Sequence, residues 1–195
     1  MQPISAIILA GGRATRMNGI DKGWALLNQR PLISHVIARL APQVDDLTIN
    51  ANREINRYAA LGYPVLADAM PDFAGPLAGI SLGLQHAKHD LLLTVPCDCP
   101  LLPADLAERL LNQLNQHQAD IAVASCQGRR HPVFCLCKKS VLPSLHTYLQ
   151  QGERRVAAWQ KSLAYVEVDF SDNEQAFINL NTLDDLAALE LHLSK

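Results

Sequence analysis

Residues 9–23 read LAGGRATRMNGIDKG: an apolar run breaks into adjacent glycines, Gly11 and Gly12, followed by Arg13, Arg16, Lys22 and one acid, Asp21. Glycine backbone can approach an anion with no Cβ in the way, and successive N–H groups form a concavity for phosphate oxygens. Arg16 offers a planar fork for phosphate, and Lys22 a mobile point charge. The string is neither G-x-x-x-x-G-K-[ST] nor G-x-G-x-x-G, so both familiar phosphate-binding loops are excluded. A second chemical residue is Asp98, in VPCDCPLLP at the end of the most apolar run, residues 90–98. A carboxylate there costs free energy unless it is paired or coordinates a cation. Magnesium usually takes one or two protein carboxylates and completes its shell with water and substrate phosphates, which suits Asp98. Its competing role is a cap for the next helix, but Pro100 and Pro103 intervene and Asp105 stands nearer the helical residues. Asn50 and Asp68 close two further strand-like runs and read either as ligands or as turn residues.

A phosphate-gripping loop, one magnesium carboxylate and no evident nucleophile together suggest nucleotidyl transfer. An acceptor phosphate attacks the α-phosphate of a nucleoside triphosphate and pyrophosphate leaves, with positioning and charge neutralisation supplying the rate. Arg16, Lys22 and Asp98 are the catalytic candidates. Cys97 and Cys99 flank the acid, yet no histidine is placed by sequence to activate either thiol.

The elements that must deliver these residues alternate. Strand-like runs at 4–9, 46–50, 64–68 and 90–98 are separated by helical spacing at 31–40, 53–61, 75–87 and 103–114. That alternation predicts a doubly wound, mostly parallel sheet in a three-layer α/β/α arrangement, with ligands beyond the carboxyl ends of the strands. Residues 121–137 read as a hairpin or edge pair around a turn at 128–130. One or two helices follow within 139–163, then a strand at 164–170. Thr182 stands three residues before Asp185, the spacing of an N-cap and its reciprocal acid. One domain spanning 1–195 is expected, with a nucleotide-binding half to about residue 115.

Of the 195 residues, 49% are hydrophobic and 18% charged, an ordinary globular balance, and the net charge of −2 argues against a nucleic-acid binder. The apolar run at 6–10 is far shorter than the roughly 20 residues that span a bilayer, and no basic segment precedes it. Five cysteines, none in C-x-x-C spacing, read as buried thiols; a reducing, cytoplasmic setting is expected, with no membrane partner.

LAGGRATRMNGIDKG is similar to the LAGGxxxRMGxxK signature of sugar-nucleotide and molybdopterin-nucleotide transferases. With INANR (49–53), DFAGPLAGI (72–80), PCDCPLLP (96–103), HPV, GERRV (152–156) and FINLNT (177–182), the chain resembles the molybdenum cofactor guanylyltransferase (MobA) family over nearly its whole length. The resemblance implies a Rossmann-like nucleotidyltransferase that moves GMP from GTP to molybdenum–molybdopterin with Mg2+. It implies a GTP set of Leu9, Ala10, Gly11, Gly12, Lys22, Asn50, Asp68, Gly75, Gly79 and Asp98, with the metal on Asp98. Arg154, Arg155, Asn179 and Asn181 would face the molybdopterin from residues 116–195. A monomer is expected, with cofactor-biosynthesis or acceptor enzymes as further partners. Asn18 stands where the signature has glycine, and Asp21–Lys22–Gly23 leans toward guanine. A cytidylyl or sugar-phosphate transferase, or a non-catalytic nucleotide or molybdopterin carrier, are the alternatives.

Overall fold

The structure is a computed structural model that describes residues 2–11, 21–68 and 75–193. The chain runs β1 (Ile4–Leu9), a 3-10 turn at Lys22–Trp24, β2 (Leu26–Leu27), β3 (Arg30–Pro31), α1 (Leu32–Leu40), β4 (Asp46–Asn50), α2 (Ile55–Ala59) and β5 (Val65–Leu66). It continues through α3 (Pro76–His86), β6 (Leu91–Pro96), α4 (Leu106–Gln116), β7 (Ile121–Cys126) and β8 (Arg129–Lys138). The last elements are α5 (Leu142–Gln150), α6 (Val156–Lys161), β9 (Tyr165–Asp169) and α7 (Leu183–Leu193).

The seven-stranded sheet has the order β5-β4-β1-β6-β8-β7-β9, and β8 alone runs against the others. β1 is apolar throughout because both its faces are covered, as parallel strands require. Ile4, Ala6 and Ile8 pack with Ile33, Val36 and Leu40 of α1, with Leu106 and Leu110 of α4, and with Tyr58 of α2. Ile7 faces the other way, toward Leu77, Ile80 and Leu84 of α3, Leu145 of α5 and Trp159 of α6. These are the three layers that the alternating pattern predicts. α3 lies close to the sheet because its inner face is glycine: a Cβ on Gly83 would come within 2.9 Å of both Ile7 and Leu92.

The hairpin of β7 and β8 is an interior pair rather than an edge, since β9 adds parallel to β7 outside it. Its turn residues Gln127 and Gly128 have φ of 50° and 73°, both positive, the backbone twist that tight hairpins favour. The run at 64–68 shrinks to a two-residue strand, because Asp68 is drawn into side-chain contacts instead. The reciprocal cap on α7 is present. Thr182 Oγ1 accepts from the Asp185 N–H (3.1 Å), and an Asp185 carboxylate oxygen accepts from the N–H groups of Thr182 and Asn181 (2.9 Å each).

Those bonds, the Asn181 N–H foremost, hold the Asp185 carboxyl below its ordinary value. A depressed folded pKa stabilises the protein above the unfolded value of about 3.9, and that share is lost as pH falls through the folded pKa. Thr182→Ala should therefore lower unfolding stability by about 1 kcal/mol at pH 7. Asp185→Asn should flatten the acid limb of stability against pH in urea titrations.

Candidate functional site

Parallel register brings the strand ends level. Leu9 pairs with Asn50 on one side and with Pro96 on the other, and Asn50 pairs with Leu66. Ala10, Gly11, Asp68 and Asp98 thus emerge from one edge. β1 neighbours β4 on one side and β6 on the other, so Gly11 and Asp98 flank the point where the winding reverses, the usual ligand crevice of such sheets.

Asp98 is 6% exposed. Its Oδ2 accepts from Lys22 Nζ at 3.1 Å, and Lys22 also donates to Asn181 Oδ1. Three distant segments meet there: the turn after the glycine loop, the end of β6, and the stretch before α7. The Leu180 N–H donates to the Asp98 carbonyl (3.1 Å) and locks that stretch to β6. Among the described residues, the other oxygen of Asp98 has only the Cys99 thiol as a hydrogen-bond partner, at 3.8 Å. Burial, and then the Asp98 charge, push the Cys97 and Cys99 thiols well up, so both stay protonated and neither is an available nucleophile.

Lys22 is aimed by its neighbours. An Asp21 carboxylate oxygen accepts from the Gly23 N–H (3.1 Å) and from the buried Tyr58 hydroxyl (2.6 Å). Burial, with the hydrogen bond to Asp21 and its charge, raises the Tyr58 phenol, so it remains a donor. A side chain at Gly23 would collide with the Tyr58 hydroxyl. The Asp21–Lys22–Gly23 triplet thus has a structural explanation in its contacts with Tyr58.

Asn50 is buried. Its Nδ2 donates to the Leu66 carbonyl (3.2 Å) and to Asp68 Oδ1 (3.0 Å), while Asn52 Nδ2 donates to Asp68 Oδ2 (2.7 Å). The Asp68 carboxylate therefore faces two amides. Asn50 Oδ1 sits between two glycines. A Cβ on Gly79 would lie 2.6 Å from it, and one on Gly11 would lie 3.2 Å away. Gly75 begins α3 with φ +152°. Leu9, Ala10, Gly11, Asn50, Asp68, Gly79 and Asp98 gather at this edge; Gly12, Arg13, Arg16 and Asn18 lie outside the described residues.

Beyond Asp98, away from Asn50, a cavity of about 740 Å3 opens between β6, the β7–β8 turn and residues 174–181. Asn179 and Asn181 line it, as do Arg129, Arg130, His131 and Phe177, which the sequence reading did not single out. The HPV triplet was the available signal. Arg154 and Arg155 are not among the lining residues. A guanidinium nitrogen of Arg154 donates back to the Leu149 carbonyl (2.9 Å), and the Arg155 carbonyl accepts from Tyr148 (3.2 Å). All five cysteines are free and buried. Among the described residues no group of three or more His, Cys, Asp or Glu could cage a metal, and no helix is long and apolar enough to cross a membrane.

The edge of a mixed, doubly wound sheet is where such folds bind ligands, and the family match gives the class, a nucleotidyltransferase. Residues 6–165 match the model of the MobA-like NTP transferase domain. A molybdenum cofactor guanylyltransferase of Bordetella petrii is 50% identical over 190 residues, 95% of this chain and 96% of that one. One of Shewanella loihica is 48% identical, over 92% and 91% of the two chains. The solved molybdopterin-guanine dinucleotide biosynthesis protein A of Archaeoglobus fulgidus shares the fold, with a TM-score of 0.80 at 21% identity over 97% of this chain and 98% of that one. The chain belongs to the molybdenum cofactor guanylyltransferase family, and it is an enzyme of the nucleotidyltransferase type. Transferases of this type usually need a divalent metal.

Gly79→Ala tests the packing around Asn50. It should cost about 1–3 kcal/mol, read as a fall in melting temperature. The cost should shrink in an Asn50→Ala background, because the carbonyl it strikes is gone.

Proposed function

We propose that this chain transfers GMP from GTP to molybdenum–molybdopterin, releasing pyrophosphate. The observation that carries the reading is the meeting of Lys22, Asp98 and Asn181 at the switch point of the sheet. The nucleotide lies on the side of Leu9, Ala10, Gly11, Asn50 and Asp68, with Gly75 and Gly79 at the start of α3, and Gly12, next in sequence to Gly11, belongs to the same proposed set. The acceptor lies on the side of Asn179 and Asn181. Residues 1–115 then form the nucleotide half of a single domain and residues 116–195 the acceptor half.

The residues present fit one divalent ion. Asp98 supplies a buried carboxylate, one oxygen of which is engaged, among the described residues, only by a weak thiol contact. Magnesium held there would neutralise triphosphate charge and favour the leaving pyrophosphate. The protein's own part is positioning. Lys22, free to rotate on its stem, can turn from Asp98 to the phosphates, and Arg16 adds a second cation from the glycine loop. An acceptor phosphate oxygen forms the new bond to the α-phosphorus as the bond to the β-phosphate oxygen breaks. No protein group need become covalently attached. Arg154 and Arg155 directly precede α6 and are assigned to the acceptor side by the family resemblance alone.

Incubated with GTP, Mg2+ and molybdenum–molybdopterin, the protein should release pyrophosphate, and CTP should be a poor replacement. Asp98→Ala should lower kcat/KM by roughly 10²–10³, the equivalent of several kcal/mol of lost charge stabilisation. Turnover with CTP in preference to GTP would assign the cytidylyl reaction. GTP binding without turnover would assign a carrier.

A further inference from the structure

The cavity beyond Asp98 contains an aromatic pile that the scheme above leaves unused. His131 stacks on Phe177 with centroids 4.6 Å apart and planes 21° from parallel. Phe177 is buttressed edge-on by Phe134 (4.9 Å) and Phe170 (5.5 Å), and all three phenylalanines are buried. Phe170 is covered in turn by the Arg109 guanidinium, 4.0 Å from its ring centre. That guanidinium forms a two-pronged bridge to Asp172 (2.8 and 3.0 Å), fixing the chain between β9 and Phe177. The pile is therefore rigid from α4 outward, and it ends on a half-buried imidazole.

His131 lies on the cavity wall and makes no hydrogen bond through its ring among the described residues. Burial, with the Arg129 charge, lowers its pKa, so the imidazole is neutral near pH 7. Phe177 covers one face and Phe134 meets the ring edge-on (6.3 Å), so a ligand in the cavity would stack on the face opposite Phe177. Flat heterocycles stack on such faces, at a gain that alanine substitution exposes as a large loss of affinity. The cavity is large enough for a drug-sized ligand, and Asn181 connects its wall to Lys22 and, through Lys22, to Asp98.

We propose that His131 is the platform on which the planar ring system of the acceptor stacks, and so a specificity-determining residue for the second substrate. The proposal rests on the guanylyltransferase reading and adds to it the residue that recognises the pterin. The ring is set down on a surface that cannot tilt, so its phosphate arm is directed along Asn181 toward the reacting phosphorus. Arg129 and Arg130 flank the platform, with Arg130 tied to Glu167 at 3.4 Å. Planarity, rather than hydrogen bonding by the imidazole, is the property that matters at residue 131.

The test is equilibrium binding of metal-free molybdopterin to the full chain without nucleotide, read by pterin fluorescence, beside steady-state kinetics. His131→Ala should weaken pterin binding roughly 10- to 100-fold and raise the acceptor KM in step, while the KM for GTP stays at the wild-type value. His131→Phe should stay within about threefold of wild type, because it keeps a flat face of similar size. Wild-type pterin affinity in His131→Ala, or a His131→Phe protein as weak as the alanine variant, would overturn the platform alone. A wild-type chain that releases no pyrophosphate from GTP with the acceptor present would overturn the parent reading as well. Thermal melting and GTP titration of each variant separate loss of the platform from loss of the fold.

Discussion

A buried carboxylate has to be neutralised, and the arrangement of this enzyme's site follows from that requirement at Asp98. Removing an anion from water costs several kcal/mol even after the surroundings relax. In the structure that cost is offset by one ammonium, from Lys22. The ammonium is delivered by a turn whose own geometry depends on Asp21, Tyr58 and Gly23. A second of its three donors goes to Asn181, which brings the C-terminal stretch into the centre of the molecule. A charge that is stable only while paired is also a charge that welcomes another cation. On the reading proposed above, the same desolvation that ties Lys22 down would suit Asp98 to hold a divalent ion, and an arriving triphosphate would offer Lys22 an alternative partner.

The sheet serves this pairing by alignment. Four neighbouring parallel strands end at one level, so the side chains just past them share a short edge. Close approach then sharpens the geometry. α3 has glycine where it faces Asn50 and where it faces Ile7 and Leu92, so the helix sits against the sheet with no room for a methyl group. Asn50, Asn52 and Asp68 close the far end with amide–carboxylate bonds, which accounts for β5 being so short. The single reversal, at β8, has a different consequence. It turns the start of a strand, with its two arginines and His131, toward the edge where all the others finish. A cavity forms beside the crevice at the switch point instead of a continuation of it.

The two sides of the site are built by different physics. On the β4–β1 side, small residues and amides leave backbone accessible to an anion. On the β8 side, stacked rings and buried phenylalanines offer a firm apolar wall. A transferase joining a polyphosphate to an aromatic acceptor needs both, and Lys22, Asp98 and Asn181 stand where they meet.

Much of this was legible in the chain alone. The alternation of apolar runs with helical spacing determined the layered fold, because strands buried on both faces must be apolar throughout. The positions of Gly11, Asn50 and Asp98 were legible for a related reason: residues directly after such runs have one edge to occupy. The Thr182–Asp185 cap was local and could be read from spacing. What only the tertiary structure decided is what depends on contacts across long separations. Asn181 meets Lys22 from 159 residues away. Gly79 is needed because of Asn50, and Gly23 because of Tyr58. His131 reaches the cavity only because β8 inserts antiparallel beside β6, a pairing that residues 121–137 suggest as a hairpin but do not place in the sheet. Spacing encodes which residues share a face; the close packing of distant segments decides which faces meet.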